Sequence, residues 1–478
     1  MTIGLCWLRR DLRWHDHRSL AKACAENAAV HVVFVFDPLI LERLPSRSDA
    51  RLHFIYDSLL EMEAIAASQG ASIHILHGDP VTEIPRLVAQ LQIDHLYFNR
   101  DYEPYAKARD TAVAKEVRAL GAAVRSFKDQ VGFEQDEVRT GQDGPFQVFT
   151  PYRNKWLAVW ADTMREVPCF TPDLSRLAQW HNPRSIALHD WWQVLGFAPC
   201  PPSLPAGTAA GLARLQTFRE RVGQYHKTRD FPARDGTSHL SVDLRHGTIS
   251  VRDALRLALA GRDEGRVAWT NELIWRDFYQ TVLDVWPHVV DGSFKPEYDA
   301  IAWQGSDAHF AAWCQGMTGV PVIDAAMRCL AATGQMPNRL RMVVGQFLCK
   351  TLLLDWRRGE AWFAAKLLDF DLAANNGGWQ WCSSSGCDAA PYFRIFNPYL
   401  QSQKFDAQGA FLRQWCPELR GLSAKQVHRP EAMTRLEQVA AGCVLGEDYP
   451  WPLVDYAEQR TKAIAMYQAA LQVGAGLG

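Results

Sequence analysis

Residues 373–381 read Ala-Ala-Asn-Asn-Gly-Gly-Trp-Gln-Trp and follow directly on the acidic run Asp369-Phe370-Asp371-Leu372. The amides of Asn375 and Asn376 can donate to or accept from the edge of a heterocycle, and the two indoles offer broad apolar faces. Paired Asn and Gly mark a tight turn. In turn or extended backbone Trp379 and Trp381, two residues apart, point to opposite sides. One can meet a bound planar group while the other faces a separate cavity. Core packing explains either Trp, but not easily both together with the amides.

Three further stretches carry polar groups where packing alone does not call for them. In Asp235–Gly247, Thr237, Ser238 and Ser241 stand at the start of helical sequence. Hydroxyls and free N–H groups there suit a phosphate, although a simple N-cap is the commoner use of such residues. Met336–Met342 puts Asn338 and Met342 one turn apart on one helix face, with Arg339 and Arg341 to the sides and Pro337 suited to the first turn. A solvated charged helix is the bland alternative. In Asn271–Trp275, Glu272 and Trp275 share a face, ordinarily an exposed acid beside a partly buried indole.

These residues need a scaffold. A chain of 478 residues is long enough for two or three domains. No run of about 18 apolar residues occurs, so no membrane span is expected, and the N-terminus lacks the apolar core and cleavage site of a signal peptide. Eleven cysteines without a CxxC pair read as reduced thiols of a cytoplasmic protein, with no disulfide framework and no metal site. A formal charge of −2 argues against an overall basic coat but leaves room for a local basic patch. The fold class expected is α/β. Residues 1–130 alternate candidate strands (4–8, 30–36, 72–76, 95–99, 122–127) with amphipathic helices such as 51–70 and 106–121, the pattern of a parallel sheet covered on both faces. No GxGxxG follows the first strand, so a dinucleotide fingerprint is absent. Residues 131–205 are an irregular connector with some helix, and 206–478 follow the three-and-four spacing of a large all-helical domain.

Six blocks in order, Trp7–Asp16, Arg229–Ser241, Thr270–Tyr279, Met336–Met342, Asp355–Phe363 and Asp369–Pro398, resemble the photolyase/cryptochrome family, most closely its microbial class I-type photolyases of cyclobutane pyrimidine dimers. The resemblance implies a Rossmann-like antenna domain followed by a helical domain that binds FAD and DNA. It implies light-dependent repair: photoexcited FADH⁻ passes an electron to a dimer flipped out of UV-damaged DNA, the ring splits, and the electron returns. FAD would be held by Tyr225, Thr237, Ser238, Leu240, Ser241, Asp369 and Asp371, with Arg341 pairing Asp369 and Asn375 facing flavin N5. A neutral amide there, where plant cryptochromes carry an acid, favours repair over signalling.

The lesion pocket implied comprises Trp275 and Trp381 as apolar walls, Glu272 as a hydrogen-bond donor if burial protonates it, and Asn338, Arg339 and Met342. Arg229, Arg394 and Lys404 would contact flanking phosphates. Trp379, Trp356 and Trp303 match the family's electron-transfer chain for photoreduction. Arg10, Asp37 and Asp101 match positions of an 8-hydroxy-deazaflavin antenna. Methenyltetrahydrofolate is disfavoured, because Tyr105 and Ala106 stand where folate-binding relatives have an Asn-Glu pair. Gln335 and Pro337 replace the usual Trp and His, and His239 replaces a frequent Arg. A monomer is expected. The rival activities are a cryptochrome-type blue-light receptor and a 6-4 photoproduct photolyase, the latter expected to carry histidines where Asn338 and Met342 stand.

Overall fold

A computed structural model of the chain describes residues 1–163, 166–179, 184–187 and 191–475. They pack as two compact units. Unit 1 comprises residues 1–146, 150–222 and 238–285, and unit 2 comprises 147–149, 223–237 and 286–478.

Unit 1 is built on five parallel strands: β1 (Ile3–Leu8), β2 (Ala29–Phe36), β3 (Ile73–His77), β4 (His95–Asn99) and β5 (Ala123–Phe127). All five expected strands are present, in the order β3-β2-β1-β4-β5, with Ile3 in register with Ala29 and Gly4 with His95. Alternate residues feed two cores. Cys6, Leu8, Val30, Val32 and Phe34 enter one, while Leu5, Trp7, Val33, Val35 and Phe98 enter the other. That two-residue period on both faces is why the strands read as continuous apolar runs. The helices Arg18–Glu26, Ala50–Ser68, Pro80–Leu91 and Pro104–Ala119 separate the strands in sequence. Asp79 starts the third of these by accepting from the Val81 amide, with Pro80 at its first position. The strand order reverses direction between β1 and β4, the position at which open α/β sheets commonly bind ligands.

Unit 2 is helical. Its main core gathers Trp313, Val344, Leu348, Trp356, Phe363 and Trp379 with many smaller apolar side chains. The helix Asn338–Lys350 begins at the expected place, with Pro337 as the residue before its first turn. One expectation needs correcting. Residues 373–381 are not a turn; they lie inside the helix Leu372–Ser383. Asp371 caps it by accepting from the Ala374 amide at 3.1 Å. The Asn376 and Gln380 amides, one turn apart, both donate to the Val289 carbonyl, at 2.8 and 2.9 Å. These contacts outweigh the weak helix propensity of Asn and Gly. Two residues on a helix are about 200° apart, so the two indoles still face away from each other, for a different reason.

All eleven cysteines are free; Cys169 is exposed, Cys200 is intermediate and the rest are buried. No described helix is long and apolar enough to cross a membrane.

Candidate functional site

In unit 2 the helix 372–383 presents Asn375 in a defined orientation. Its side-chain nitrogen donates to the Glu360 carbonyl at 3.1 Å and to the Glu360 carboxylate at 2.8 Å. The amide oxygen is thereby turned away as an acceptor that no described donor uses. Burial pushes the Glu360 carboxyl up, against the opposing effect of the Asn375 bond. Asp369, buried just before the helix, receives both carboxylate bonds from one Arg341 nitrogen, at 3.0 and 2.8 Å. Arg341 Nε is fixed on the Met336 carbonyl at 2.8 Å, so the guanidinium is held from both sides. On the first turn of the 338–350 helix, the Asn338 amide nitrogen lies 3.8 Å from the Met342 sulfur. The expected amide-plus-thioether face therefore exists.

The tryptophans differ sharply in setting. Trp379 is 3% exposed, lies edge-on to Phe363 at 5.0 Å, and has a buried Nε1 with no partner among the described residues. A Cβ on Gly359 would fall 2.1 Å from its ring, so only glycine lets the Trp356–Lys366 helix come this close. Trp381 is half-buried, edge-on to Phe396 at 6.4 Å. Trp356 is 2% exposed in the same core as Trp379, and the partly exposed Trp303 packs against that core and against Tyr467. One apolar cluster thus links three oxidisable rings, two of them buried and the third, Trp303, partly exposed.

The charged candidates of unit 2 also separate. Arg339 is already paired with Asp230 at 2.9 Å and lies over the Phe405 ring at 4.6 Å. Arg229 lies over the Tyr225 ring at 5.6 Å. Arg394 and Lys404 are exposed, Arg394 beside an exposed Phe393.

In unit 1 the segment from Ser238 enters the short helix Ser241–His246 without any side-chain cap; Leu240 stands at the N-cap position. Ser238 accepts from the Leu240 amide at 3.4 Å, and His239 takes a left-handed φ of 54°. The N-cap explanation of these hydroxyls therefore fails. Thr237 lies in unit 2, as does Tyr225, which is buried. Glu272 and Trp275 share one partly exposed face of the Glu264–Val285 helix. On its buried face, Asp277 accepts from the Gly132 and Phe133 amides and the Trp156 indole at 2.9, 3.2 and 2.9 Å, with burial pushing its carboxyl up to about 6. Neither Asp277 nor Glu360 stands out in the sequence. Each reads as an ordinary acid on a helix, and only the fold reveals its partners.

Arg10, Asp37 and Asp101 do meet the carboxyl edge of the sheet, but each is engaged. Arg10 reaches Asp101 at 3.2 Å and Glu103 at 3.0 Å. Asp37 caps Pro38–Leu41 through the Leu39 amide and accepts from the Tyr105 hydroxyl at 2.5 Å. Beside them Arg9 is bound to Asp110 and to the Asn99 carbonyl.

Comparisons with known proteins agree along the whole chain. Residues 4–172 match the family model described as DNA photolyase, and residues 269–469 match that of the FAD binding domain of DNA photolyase. The chain is 38% identical to the deoxyribodipyrimidine photo-lyase of Escherichia coli K12, over 98% of this chain and 99% of that one. It is also 38% identical to that of Synechococcus, over 97% and 96%. Among solved structures, a bacterial class III photolyase from Agrobacterium tumefaciens aligns with a TM-score of 0.90 at 32% identity, covering 99% of this chain and 98% of that one. The Synechocystis cryptochrome aligns with a TM-score of 0.88 at 27% identity, covering 98% and 99%.

Proposed function

The chain belongs to the DNA photolyase family, and on that premise we propose that it splits cyclobutane pyrimidine dimers in DNA with light, using FAD held in part by Asn375 and the Arg341–Asp369 pair. The observation that carries the reading is the orientation of Asn375. Glu360 occupies the amide's donor side and leaves its oxygen to accept from a ring N–H. The donor set fits a flavin in other respects: the Trp379 Nε1 is buried and unsatisfied, and Asp369 and Arg341 offer a buried carboxylate and a guanidinium held by it. When bound and reduced, the flavin supplies the light-excited electron, and the chemistry is the cofactor's.

The chain's own residues position and insulate. Asn338 and Met342 hold the bases of a flipped dimer with an amide and a thioether. Extruding a lesion that already pairs poorly costs less than extruding an intact pair. Glu272 and Trp275 take the roles of hydrogen-bonding acid and apolar wall, and Trp381 that of a second wall. Arg394, Lys404 and Arg229 are the flanking phosphate contacts. Arg339 serves by tying residue 230 to the 338–350 helix. Trp379, Trp356 and Trp303 give reducing electrons an oxidisable path from the partly exposed ring inward. Tyr225, Thr237, Ser238, Leu240, Ser241 and Asp371 bind the remainder of the cofactor.

Splitting a cyclobutane ring needs no net proton transfer, whereas a 6-4 lesion calls for a titratable residue such as His beside the bond. Asn338 and Met342 are not titratable there, so the dimer is the substrate proposed. At the carboxyl edge of the sheet Arg10, Asp37 and Asp101 are held by protein partners, an arrangement that would present them in fixed orientation to a second chromophore, 8-hydroxy-deazaflavin in our reading. The test is to illuminate the reduced enzyme with each lesion in a defined oligonucleotide. Dimer turnover without 6-4 turnover is expected, and Asn338→Ala should lower it with flavin content unchanged. Turnover on the 6-4 lesion alone refutes the substrate; no turnover on either, with a light-reducible flavin, favours a receptor.

A further inference from the structure

The loop between Ser384 and Asn397 leaves the 372–383 helix and carries the exposed Arg394 near its end. Its first part is well tied: the Ser385 and Gly386 amides donate to the Gln380 carbonyl, and the Asp388 carboxylate accepts from the Phe149 amide at 3.1 Å. Beyond Asp388 the holds change character. Tyr392 stacks on Tyr467 with centroids 6.0 Å apart, and the Arg394 amide closes a turn onto the Pro391 carbonyl. The remaining two polar tethers both come from the 338–350 helix. Gln346 Oε1 accepts from the Phe396 amide at 2.9 Å. Lys350 Nζ donates to Ser384 Oγ at 2.8 Å and to the Arg394 carbonyl at 3.3 Å.

Both tethers are costly. Lys350 is wholly buried and Gln346 is 1% exposed. The lysine makes no ion pair among the described residues. Its hydrogen-bond partners are neutral oxygens, and the Tyr467 ring lies 5.9 Å away. Burying an ammonium without an acid is expensive, and burial indeed holds this one down to about 8. Its surroundings are Cys349 on its own helix, Cys382 on the neighbouring helix and Arg394 on the loop, none of them a carboxylate. An unbranched apolar side chain would fill the position at lower cost. What the polar groups gain is the hold on the loop. Gln346 and Lys350 are one turn apart on the same face, and together they bracket Arg394, one bonded to its own carbonyl and the other to the amide two residues on. The opposite end of this one helix bears Asn338 and Met342.

We propose that Gln346 and Lys350 form a buried clamp that positions the 384–397 loop, so that one rigid helix sets both the lesion-facing amide and the Arg394 guanidinium that meets the flanking strand. They are positioning residues, acting through the loop. The inference rests on the reading of Arg394 as a phosphate contact, and its test separates the two. Lys350→Met removes the charge and both hydrogen bonds while keeping much of the volume. Ser384→Ala removes one acceptor and guards against a packing artefact at 350.

The direct readout is limited trypsin digestion of the flavin-loaded protein, scoring cleavage after Arg394. Loss of a hydrogen bond from a charged donor should raise that rate about tenfold or more in Lys350→Met, and less in Ser384→Ala. The second readout is repair. KM for a dimer in a duplex should rise while kcat, flavin content and the flavin spectrum stay as in the parent. Repair of a dimer in a bare dinucleotide, too short to reach the loop, should be unchanged. Arg394→Ala, with the clamp intact, tests the phosphate contact alone. If Arg394→Ala has no effect while Lys350→Met loosens the loop and raises KM, the clamp stands and another loop residue meets the DNA. If Lys350→Met is loaded with flavin, is cut no faster and binds duplex like the parent, the clamp is refuted whatever Arg394 does.

Discussion

Gly359→Ala is a one-carbon probe of how tightly the innermost tryptophan is held. By helix propensity alone the change should stabilise, since Gly costs about 1 kcal/mol against Ala in a helix interior. The geometry opposes this. The added Cβ would fall 2.1 and 2.4 Å from two carbons of the Trp379 ring and 2.7 Å from a Leu348 methyl. Carbon contacts settle near 3.5–4.0 Å, so the ring would have to retreat by roughly 1.5 Å. Phe363 at 5.0 Å and Trp313 at 6.1 Å stand against it, and the ring is already 3% exposed. Overpacking of a closed core costs about 1–3 kcal/mol and occasionally more. With the propensity gain set against it, a net loss of up to about 2 kcal/mol remains. Urea unfolding followed by flavin fluorescence should show the lower midpoint, and light-driven flavin reduction should slow because the indole is displaced. A midpoint raised by the propensity gain, with photoreduction unchanged, would refute the reasoning.

Trp303→Phe and Trp356→Phe keep the bulk but remove an oxidisable indole. Photoreduction measured by absorbance should slow greatly while repair by chemically pre-reduced enzyme persists; equal loss of both would make these rings structural. Asp277 titrates at about 6 in the folded chain against an ordinary 3.8, so the folded state holds the extra proton between those values. Its contribution to stability falls as pH rises through that window, by up to about 3 kcal/mol. Asp277→Asn should flatten that part of the pH–stability profile, and an unaltered slope would count against the assignment. Arg394→Ala and Lys404→Ala should each weaken damaged and undamaged DNA alike and cut the salt slope by about one. A loss confined to lesion-bearing DNA would instead put the residue at the lesion.

The sheet was legible because its signal is local. Buried parallel strands are uninterrupted apolar runs, and the five of them lie within a residue or two of where β-branched content places them. The start of the 338–350 helix was legible for a similar reason, since Pro337 restricts the chain at that point. The 372–383 helix was not. Asn-Asn-Gly-Gly carries turn chemistry at every position, and what overrides it is distant: the Val289 carbonyl that Asn376 and Gln380 share, and the core that takes Trp379. The engagement of Asp37 by Tyr105, and of Arg339 by Asp230, was hidden likewise, because a charged residue's partner is set by tertiary structure. Lys350 was the least visible of all. At the end of an amphipathic helix a lysine reads as solvated, and nothing in its neighbours says that it is buried.

The state of the cysteines has a practical consequence. Burial pushes the Cys24, Cys314, Cys382 and Cys387 thiols up to about 12, and Cys6 and Cys349 are also held well above the ordinary range. At neutral pH almost none of each is thiolate, the form that alkylating reagents attack. Cys169 alone is exposed. With the part-buried Cys200 replaced, the chain therefore offers one fast-reacting position for a maleimide dye or spin label in unit 1, and the nine buried cysteines stay in place. Distances from that label to a fluorophore on a DNA end could then be followed while the lesion is engaged and released.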